Sequence, residues 1–253
     1  MRTFEVVTLL CLVCGVSSYS LWKPWRPHKW HKLILTHHWP QTFCTMEHCK
    51  QHIDYWTIHG LWPDGGQFCN STWHLNMNEI ADLVPDMDKF WPNLIHPTKD
   101  EFWKYEWSKH GTCATSAESL DSQHKYFSKA LELYKMFDLT GALQKGGIVP
   151  SDNSYKLDDI ESTIVNAYGA KAKIQCHHGQ YDQNGESHQQ LGQIEICLNE
   201  DFKPIDCERK TFEDVWNEAN EIIPLKFYKP SGLSVCDYND PVSYPPLMGD
   251  SEM

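Results

Sequence analysis

The chain lacks the excess of positive charge that proteins coating or storing nucleic acid need. Its 22 Lys and Arg residues face 34 Asp and Glu, so the formal net charge is −12 with histidine neutral. An enzyme that contacts one or two phosphates is not excluded by this balance. The 14 histidines would bring the charge to +2 if all of them were protonated. Because an unperturbed histidine titrates around pH 6.5, an acidic compartment would remove most of the repulsion toward a polyanion.

The chain also lacks a segment that could span a membrane. Its long apolar run, Val6–Val16, has 11 residues and is too short to cross a bilayer. The run follows the positive Arg2 and ends at the small residues Val16-Ser17-Ser18, an arrangement typical of a secretory signal peptide. We therefore predict a signal peptide at residues 1–18 and an exported chain that begins near Tyr19. The alternative, a membrane anchor, is disfavoured by the length of the run.

After the signal, the chain lacks the spacings of common metal sites. No Cys-x-x-Cys lies in residues 19–253 and no His-Glu-x-x-His is present, which argues against a zinc site or a zinc protease. His48 and His52 have helical i,i+4 spacing and suggest a metal hydrolase as a minor interpretation. Cys44 and Cys49 crowd that segment, so we expect neither a metal nor a cofactor.

Cysteines are numerous, in contrast. An even number in an exported chain predicts four disulfides, although spacing alone leaves about 105 connectivities open. Asn70-Ser71-Thr72 is the one glycosylation sequon, and we expect a surface glycan at Asn70. The eight cysteines after the signal are Cys44, Cys49, Cys69, Cys113, Cys176, Cys197, Cys207 and Cys236.

No Gly/Ser linker, internal repeat or charge block divides the chain. The cysteines extend over most of its length, so we expect one disulfide-linked domain over residues 19–253. Helical and strand patterns are mixed without a regular βαβ alternation, which predicts the α+β class. The tail from Pro241 is expected to be irregular.

The predicted elements follow from hydrophobic periodicity. An apolar stripe predicts an amphipathic helix over Asp121 to Asp138. Gly111 and Gly169 are expected to end the helices that precede them. The predicted helices are Asn78 to Val84 (followed by the interrupting Pro85 and Pro92), Glu101 to His110, Asp121 to Asp138 and Asp158 to Tyr168; the predicted strands are Trp30 to Trp39, Ile53 to Trp62, Lys173 to Cys176, Gln193 to Leu198 and Leu233 to Cys236.

Two segments carry the chemistry. TIHGLWPD, residues 57–64, places His59 on a strand, and FWKYEWSKHGTC, residues 102–113, places His110 on a helix. Glu106 lies three residues before Lys109 and four before His110, so the three side chains share one helix face. On an arbitrary helix such a face is usually only a solvated surface.

Together these groups fit metal-free cleavage of RNA. The 2′-OH of RNA is the nucleophile, so the enzyme needs a base for its proton and an acid for the departing 5′-oxygen. Histidine suits both roles near neutral pH, and a lysine can stabilise the charge that develops on the phosphoryl oxygens. Trp62 and Phe102 could stack on bases, a contact worth about 1–3 kcal/mol.

Both segments at once resemble the two active-site segments of the ribonuclease T2 family. The order and spacing match, and the similarity extends through LTHHWP, FWPNLIH, KIQC, GQIEICL and the final SVC. The resemblance implies an α+β fold in which helices flank a central antiparallel sheet. It also implies the disulfides Cys44–Cys49, Cys69–Cys113, Cys176–Cys236 and Cys197–Cys207.

The resemblance further assigns roles. It makes His110 the base and His59 the acid of the reaction, with Glu106 and Lys109 as stabilisers of the transition state. Substrate binding would fall to Tyr105, Trp62, Phe102 and Asp64. The expected activity is an endoribonuclease of the ribonuclease T2 type that cleaves single-stranded RNA through a 2′,3′-cyclic phosphate to 3′-phosphate ends. The enzyme would be secreted or lysosomal and act as a monomer.

The chain departs from the family pattern at two positions. Tyr105 stands where the family commonly has a histidine credited with phosphate binding, and a phenol supplies no positive charge there. His37 stands where many members have glutamine, so base preference does not transfer. The alternative function is therefore a secreted signalling or binding protein on the same scaffold with weakened catalysis. The intact pair of His59 and His110 argues against it.

Overall fold

The computed structural model describes residues 30–47, 49, 53–97, 100–179, 189–208 and 232–247. The predicted signal peptide at residues 1–18, and His48 and His52, lie outside the described residues. Within these ranges, no helix combines the length and the hydrophobicity that crossing a membrane requires.

The chain alternates irregularly between helices and short strands, as the α+β prediction requires. The strands are β1 Leu33–His38, β2 Thr57–Pro63, β3 Ser154–Tyr155, β4 Lys173–His178, β5 Gln189–Leu198, β6 Pro204–Ile205, β7 Leu233–Val235 and β8 Val242–Ser243. The α-helices are α1 Pro40–Met46, α2 Val84–Phe90, α3 Glu101–Glu106, α4 Thr112–Ala114, α5 Gln123–Met136, α6 Leu139–Lys145 and α7 Leu157–Tyr168. Short 3₁₀ turns lie at Met77–Ile80 and Glu118–Leu120, and a π-helical turn at Trp107–Gly111 joins α3 to α4.

One sheet organises the fold. Its main strands lie in the order β2-β1-β5-β4-β7, and each of these neighbours pairs antiparallel. The tail from Pro241 is not irregular as predicted, because β8 pairs antiparallel with β3 and parallel with β5. The antiparallel α+β class is confirmed, with this one parallel pair added.

The sheet has two unlike faces. Ile194, Ile196 and Leu198 alternate to one face of β5 and are buried against the helices. The opposite face of the same strand carries Gln193 and Glu195, both buried and polar. A polar face on a central strand is costly unless its groups are hydrogen-bonded, so this face is where a site is expected.

Helices α5, α6 and α7 cover the apolar face. The stripe predicted on α5 is present: Tyr126, Phe127, Ala130 and Leu131 are buried and pack in one cluster with Leu35 of the sheet. α7 ends at Gly169, whose φ of 77° is the left-handed conformation that glycine adopts at low cost.

Two helix boundaries differ from the prediction. Gly111 does not end its helix, because the π-helical turn and α4 continue to Ala114. A Cβ on Gly111 would lie 2.3 Å from the ring of Trp107, so the glycine makes room for that indole rather than breaking the helix. Pro85 does not end a helix either, because the helix predicted over Asn78 to Val84 is only a 3₁₀ turn at Met77–Ile80 and α2 begins at Val84. It lies in the first turn of α2, where the missing N–H has no intrahelical partner to lose.

The four disulfides join the cysteines as the resemblance implied. The pairs are Cys44–Cys49, Cys69–Cys113, Cys176–Cys236 and Cys197–Cys207. The second pair connects the loop after β2 to α4, so it holds the two chemistry-bearing segments together.

Candidate active site

A β-bulge in β2 places His59. In the register with β1, Thr36 pairs with Gly60 and His37 pairs with Ile58, which leaves His59 as the extra residue. Strict alternation would put His59 and Trp62 on opposite faces of the strand. The bulge brings both side chains to the polar face while Ile58 stays in the core, as bulges beside active sites often do.

Polar and aromatic groups fix the His59 ring on that face. Its Nδ1 lies 2.8 Å from Oε1 of Gln193, and its ring packs on that of His38 with the centroids 3.7 Å apart. The Nε1–H of Trp91 donates to the His59 carbonyl at 2.9 Å. The imidazole is therefore held by β1, by β5 and by the segment after α2.

Gln193 is itself held from behind. Its Nε2 donates to Oε1 of Glu195 at 3.1 Å and to Oε1 of Gln175 on β4. Lys173 pairs with the other oxygen of the Glu195 carboxyl at 3.4 Å. Burial raises the pKa of Glu195, while Lys173 acts in the opposite direction. A polar chain thus runs across the sheet from Lys173 to His59.

Trp62 lies between the two histidines. Its ring meets His59 edge-on at 4.8 Å and stacks on His110 at 5.1 Å, measured between ring centroids. Its Nε1–H donates to Oε2 of Glu106 at 2.9 Å. One indole therefore contacts three of the four predicted catalytic side chains, and the face that stacks on His110 is not open to a base.

The helix of the second segment is anchored by two tryptophans that lie four residues apart. Trp103 and Trp107 are buried, and their indole N–H groups donate at 2.7 Å to the carbonyls of Trp91 and Trp73. The π-helical turn that starts at Trp107 packs against β2. Single π turns are often found at functional sites because they reorient side chains locally.

The surroundings of both histidines favour the neutral imidazole. Burial lowers the pKa of His59 to about 4; the bond to Gln193 raises it and the charge of Lys109 lowers it further. Burial, then Lys109 and then His59, lower the pKa of His110 to about 3. The Nδ1 of His110 is buried without a hydrogen-bond partner among the described residues, in contrast to that of His59.

The neutral form of Glu106 is favoured too, which for a carboxyl means a raised pKa. Its carboxyl is 1% exposed, and burial raises its pKa to about 8, against the lowering effects of the Trp62 N–H and of Lys109. The group therefore tends to keep its proton, which makes it a hydrogen-bond donor as well as an acceptor in acid. A carboxyl that burial keeps neutral can donate a hydrogen bond to negative charge that develops beside it.

The predicted substrate-binding residues are not all placed alike. Phe102 lies beside His59, with 6.1 Å between ring centroids. Tyr105 is 49% exposed, and Nζ of Lys109 lies 5.1 Å from the centroid of its ring. Asp64 is exposed and its carboxylate accepts the backbone N–H of His31 at 2.9 Å. This bond secures the entry to β1, so Asp64 has a structural contact besides its predicted role.

Sequence reasoning missed four contributors. Gln193 and His38 contact the His59 ring, Trp91 binds its carbonyl, and Gly60 leaves space that a side chain would fill. Gly60 lies inside the first segment, so its spacing to Trp62 was visible. The sequence did not point to Gln193, because nothing in it shows which side chain a polar residue on a predicted core strand would contact.

The geometry places two imidazoles and a carboxyl around the Trp62 indole, and the charge of Lys109 acts on all three groups. Among the described residues, no set of three or more His, Cys, Asp or Glu side chains is grouped as metal ligands would be. Comparisons with known proteins identify the family. The profile of the Ribonuclease T2 family matches residues 30–207. The chain belongs to the ribonuclease T2 family. The resemblance and the endoribonuclease class expected from the two histidine segments are thereby confirmed.

Individual members are similar over most of their length. Ribonuclease T2 of Danio rerio is 56% identical over 217 residues, which cover 85% of this chain and 88% of that relative. The crystal structure of human RNase T2 is 41% identical with a TM-score of 0.70, covering 87% of this chain and 100% of that one. RNase NT, solved in complex with 5′-AMP, is 26% identical with a TM-score of 0.62, covering 86% and 99%.

Proposed function

We propose that this member of the ribonuclease T2 family cleaves single-stranded RNA by metal-independent transphosphorylation. The 2′-OH of the substrate attacks the adjacent phosphorus, and the bond to the 5′-oxygen of the next nucleotide breaks. The products are a 2′,3′-cyclic phosphate, which water then opens to a 3′-phosphate, and a free 5′-OH. RNase NT binds a nucleotide in its crystal structure, which supports a nucleotide-sized site in this fold.

The observation that carries the proposal is the pair of histidines on either side of Trp62. One imidazole must accept the 2′-OH proton and the other must supply a proton to the 5′-oxygen. We assign the first role to His110 and the second to His59, as the resemblance implies. The disulfide Cys69–Cys113 supports this spacing by holding the loop after β2 to the helix of His110.

The lowered pKa values of both histidines fit this division in acid. His110 at a pKa of about 3 is neutral over most of the acid range, as a base must be. His59, at about 4, becomes protonated most readily when the negative phosphodiester lies against it, because an anion raises the pKa of an imidazole. We therefore expect a bell-shaped pH profile with its optimum on the acid side of neutrality.

Lys109 and Glu106 would act on the phosphoryl oxygens. Lys109 is partly exposed beside both histidines and supplies the positive charge for the dianionic transition state. Glu106, kept neutral by burial, donates a hydrogen bond while Trp62 holds its other side. A neutral donor suits this place because an ionised carboxylate would repel the phosphate.

The test is a chimeric oligonucleotide that carries one ribonucleotide in a DNA background. Purified protein with EDTA should cut it only on the 3′ side of that ribonucleotide and leave a 2′,3′-cyclic phosphate that mass spectrometry detects. The matched all-DNA strand should stay intact, since it has no 2′-OH. Cleavage of the all-DNA strand, or complete loss of activity in EDTA, would refute the mechanism.

The alternative is a secreted binding or signalling protein with weakened catalysis, which Tyr105 suggests because it brings no charge to the phosphate. The same assay separates the two functions by turnover. A binding protein would shift the oligonucleotide in a gel or in fluorescence anisotropy without cutting it.

We also propose that the chain is exported after removal of residues 1–18 and acts as a monomeric single domain. The four disulfides support an oxidising compartment. Asn70 is exposed and adjacent to Cys69, which supports the proposed glycan. Mass spectrometry of the protein secreted by a eukaryotic host should find Tyr19 or a near neighbour at the N-terminus and a glycan on Asn70.

A further inference from the structure

The buried polar chain behind His59 has no role in the reaction as described so far. Gln193 is the link, because its amide oxygen lies 2.8 Å from Nδ1 of His59 while its nitrogen faces Glu195 and Gln175. Both amide and carboxylate are buried on the central strand β5, where unneeded polar groups would only cost stability.

The orientation of the Gln193 amide follows from what lies on each side. Oε1 of Glu195 is 3.1 Å from the amide nitrogen, and the other carboxyl oxygen pairs with Lys173. An oxygen in that position accepts a hydrogen bond, so the NH₂ group of Gln193 must point toward it. The amide oxygen is then directed at His59.

We propose that Gln193 is a positioning residue. Its amide oxygen accepts a hydrogen bond from Nδ1–H of His59, which keeps the proton of the neutral ring on Nδ1 and leaves Nε2 as the atom that faces the substrate. A neutral imidazole has two tautomers, and its outer partner decides which one is present. The Trp91 bond and the His38 ring restrict where the ring lies, but neither of them contacts the ring nitrogen that Gln193 binds.

An amide at this place has a second consequence. A carboxylate partner would stabilise the charged imidazolium and make His59 a weaker acid, whereas a neutral amide orients the ring without adding charge. The charged or titratable groups that face His59 are His38 on β1 and Lys109 and His110 on the second segment. Glu195 and Lys173 lie behind Gln193.

The first test needs no substrate. In protein labelled with ¹⁵N-histidine at neutral pH, the His59 signals should show a protonated Nδ1 and an unprotonated Nε2. The assignment comes from the signals that disappear in His59→Phe. A protonated Nε2 in the neutral ring would overturn the proposal, whether or not the protein cleaves RNA.

The second test is kinetic and rests on the proposed function. The double variant Gln193→Glu, Glu195→Gln keeps an acceptor at Nδ1 and brings the buried charge next to the ring without placing two carboxylates 3.1 Å apart, so it should raise the high-pH limb of the kcat profile by about 1 pH unit. That limb belongs to the acid, His59, and the low-pH limb should stay in place. If neither limb moves, the proposal is wrong. If only the low-pH limb moves, Gln193 still positions His59, but His59 is the base and His110 the acid, so the proposed roles in the reaction are wrong.

Gln193→Met removes the acceptor with little change of volume. We expect kcat to fall about 10-fold, the lower end of the loss seen when the outer partner of a metal-bound histidine is removed, with KM within 2-fold. The double variant should retain more of kcat than Gln193→Met at the optimum of each, because its glutamate still accepts the hydrogen bond from Nδ1–H of His59.

Gln189 supplies a matched control on the same strand. It is equally buried, and its amide binds the backbone of Asp237 and Asp240 instead of a histidine. Gln189→Met should lower the melting temperature and leave kcat and both limbs unchanged. If Gln189→Met and Gln193→Met lower Tm and kcat in parallel, Gln193 is merely structural and the proposal is wrong.

Discussion

The indole of Trp62 and the carboxyl of Glu106 join the two segments of the site through one hydrogen bond of 2.9 Å. The bond exists because Gly60 has no side chain. A Cβ there would lie 2.1 Å from Nε1 of Trp62 and 2.2 Å from Oε2 of Glu106. The first segment therefore needs glycine beside its histidine for a steric reason, since no positive φ is involved.

We expect Gly60→Ala to impair both stability and catalysis. The added methyl must displace the indole or the carboxyl, and overpacking of this kind typically costs about 1–3 kcal/mol. Since Trp62 also contacts His59 and His110, kcat/KM should fall at least about 10-fold, which corresponds to about 1.4 kcal/mol. Thermal denaturation and kinetics on a short RNA measure the two effects.

Gly147→Ala is the control for that change. Gly147 has a φ of 78° and no atom within 4 Å of a built Cβ, so alanine adds backbone strain of about 1–2 kcal/mol without any clash. Stability should fall and kcat/KM should not. Equal kinetic losses in the two variants would show that Gly60 has no special link to the site.

Neither catalytic histidine should be needed for folding. His59→Ala and His110→Ala should remain folded with kcat lower by about 10²–10⁴-fold, the usual contribution of a positioned acid or base. His124→Ala removes a partly exposed histidine that pairs with Asp82 and should leave kcat unchanged. Near-normal turnover in His59→Ala or in His110→Ala would take that residue out of the mechanism.

Local patterns predicted the parts of the fold that local physics determines. The stripe of α5 and the glycine after α7 are fixed by helical spacing and by left-handed backbone, so both are visible in the sequence. The bulge at His59 is not, because it depends on how β2 pairs with β1. For the same reason β8 was predicted as irregular: two residues make a strand only when β3 and β5 are already in place.

The site also has features that local spacing predicts and features that depend on contacts between distant segments. The spacing of Trp103 and Trp107, four residues apart on a helix, is visible in the sequence, and both anchor the second segment. The spacing did not anticipate the π turn, in which Gly111 stays helical because the Trp107 ring occupies the space of its side chain. Gln193 and His59 are 134 residues apart in the sequence, and only the pairing of the strands brings them together.

A buried histidine outside the mechanism should make the protein less stable in acid. His37 is fully buried, and burial lowers its pKa to about 4, with the backbone of Ile194 acting in the opposite direction. An unfolded histidine titrates around pH 6.5. Between these values the unfolded state binds more protons, so the free energy of unfolding decreases as pH falls from about 6.5 to 4, by up to about 3 kcal/mol.

His37→Phe should remove this contribution, and the new ring can pack on Tyr134, whose centroid is 5.7 Å from that of His37. Denaturant unfolding at pH 7.5 and at pH 4 measures the effect. Relative to the natural protein, the variant should gain about 2–3 kcal/mol between the two pH values, whatever its packing cost at pH 7.5. Other groups titrate alike in both proteins and cancel, except His38, whose pKa is lowered in part by the charge of His37 and whose change has the same sign. A difference independent of pH would mean that His37 is not the group responsible.

Tyr105 offers the sharpest test of substrate contact. It is 49% exposed beside Lys109, at the position where the family commonly has histidine. If it contacts the phosphate, Tyr105→His should supply a charge-assisted hydrogen bond worth about 1.5–3 kcal/mol in place of a neutral one worth about 0.5–1.5. The difference of about 1 kcal/mol predicts roughly a 5-fold gain in kcat/KM in acid.

The pH dependence of that gain distinguishes contact from packing. The new imidazole would lie near the ammonium of Lys109, whose charge lowers its pKa, so the gain should fade before pH reaches about 6.5. Tyr105→Phe should lower kcat/KM by a similar factor with little dependence on pH, because it loses only a neutral hydrogen bond. If Tyr105 merely covers the stem of Lys109, phenylalanine would be silent and histidine neutral or harmful at every pH. That pattern would remove Tyr105 from the substrate site and return the phosphate contact to Lys109 and the two histidines.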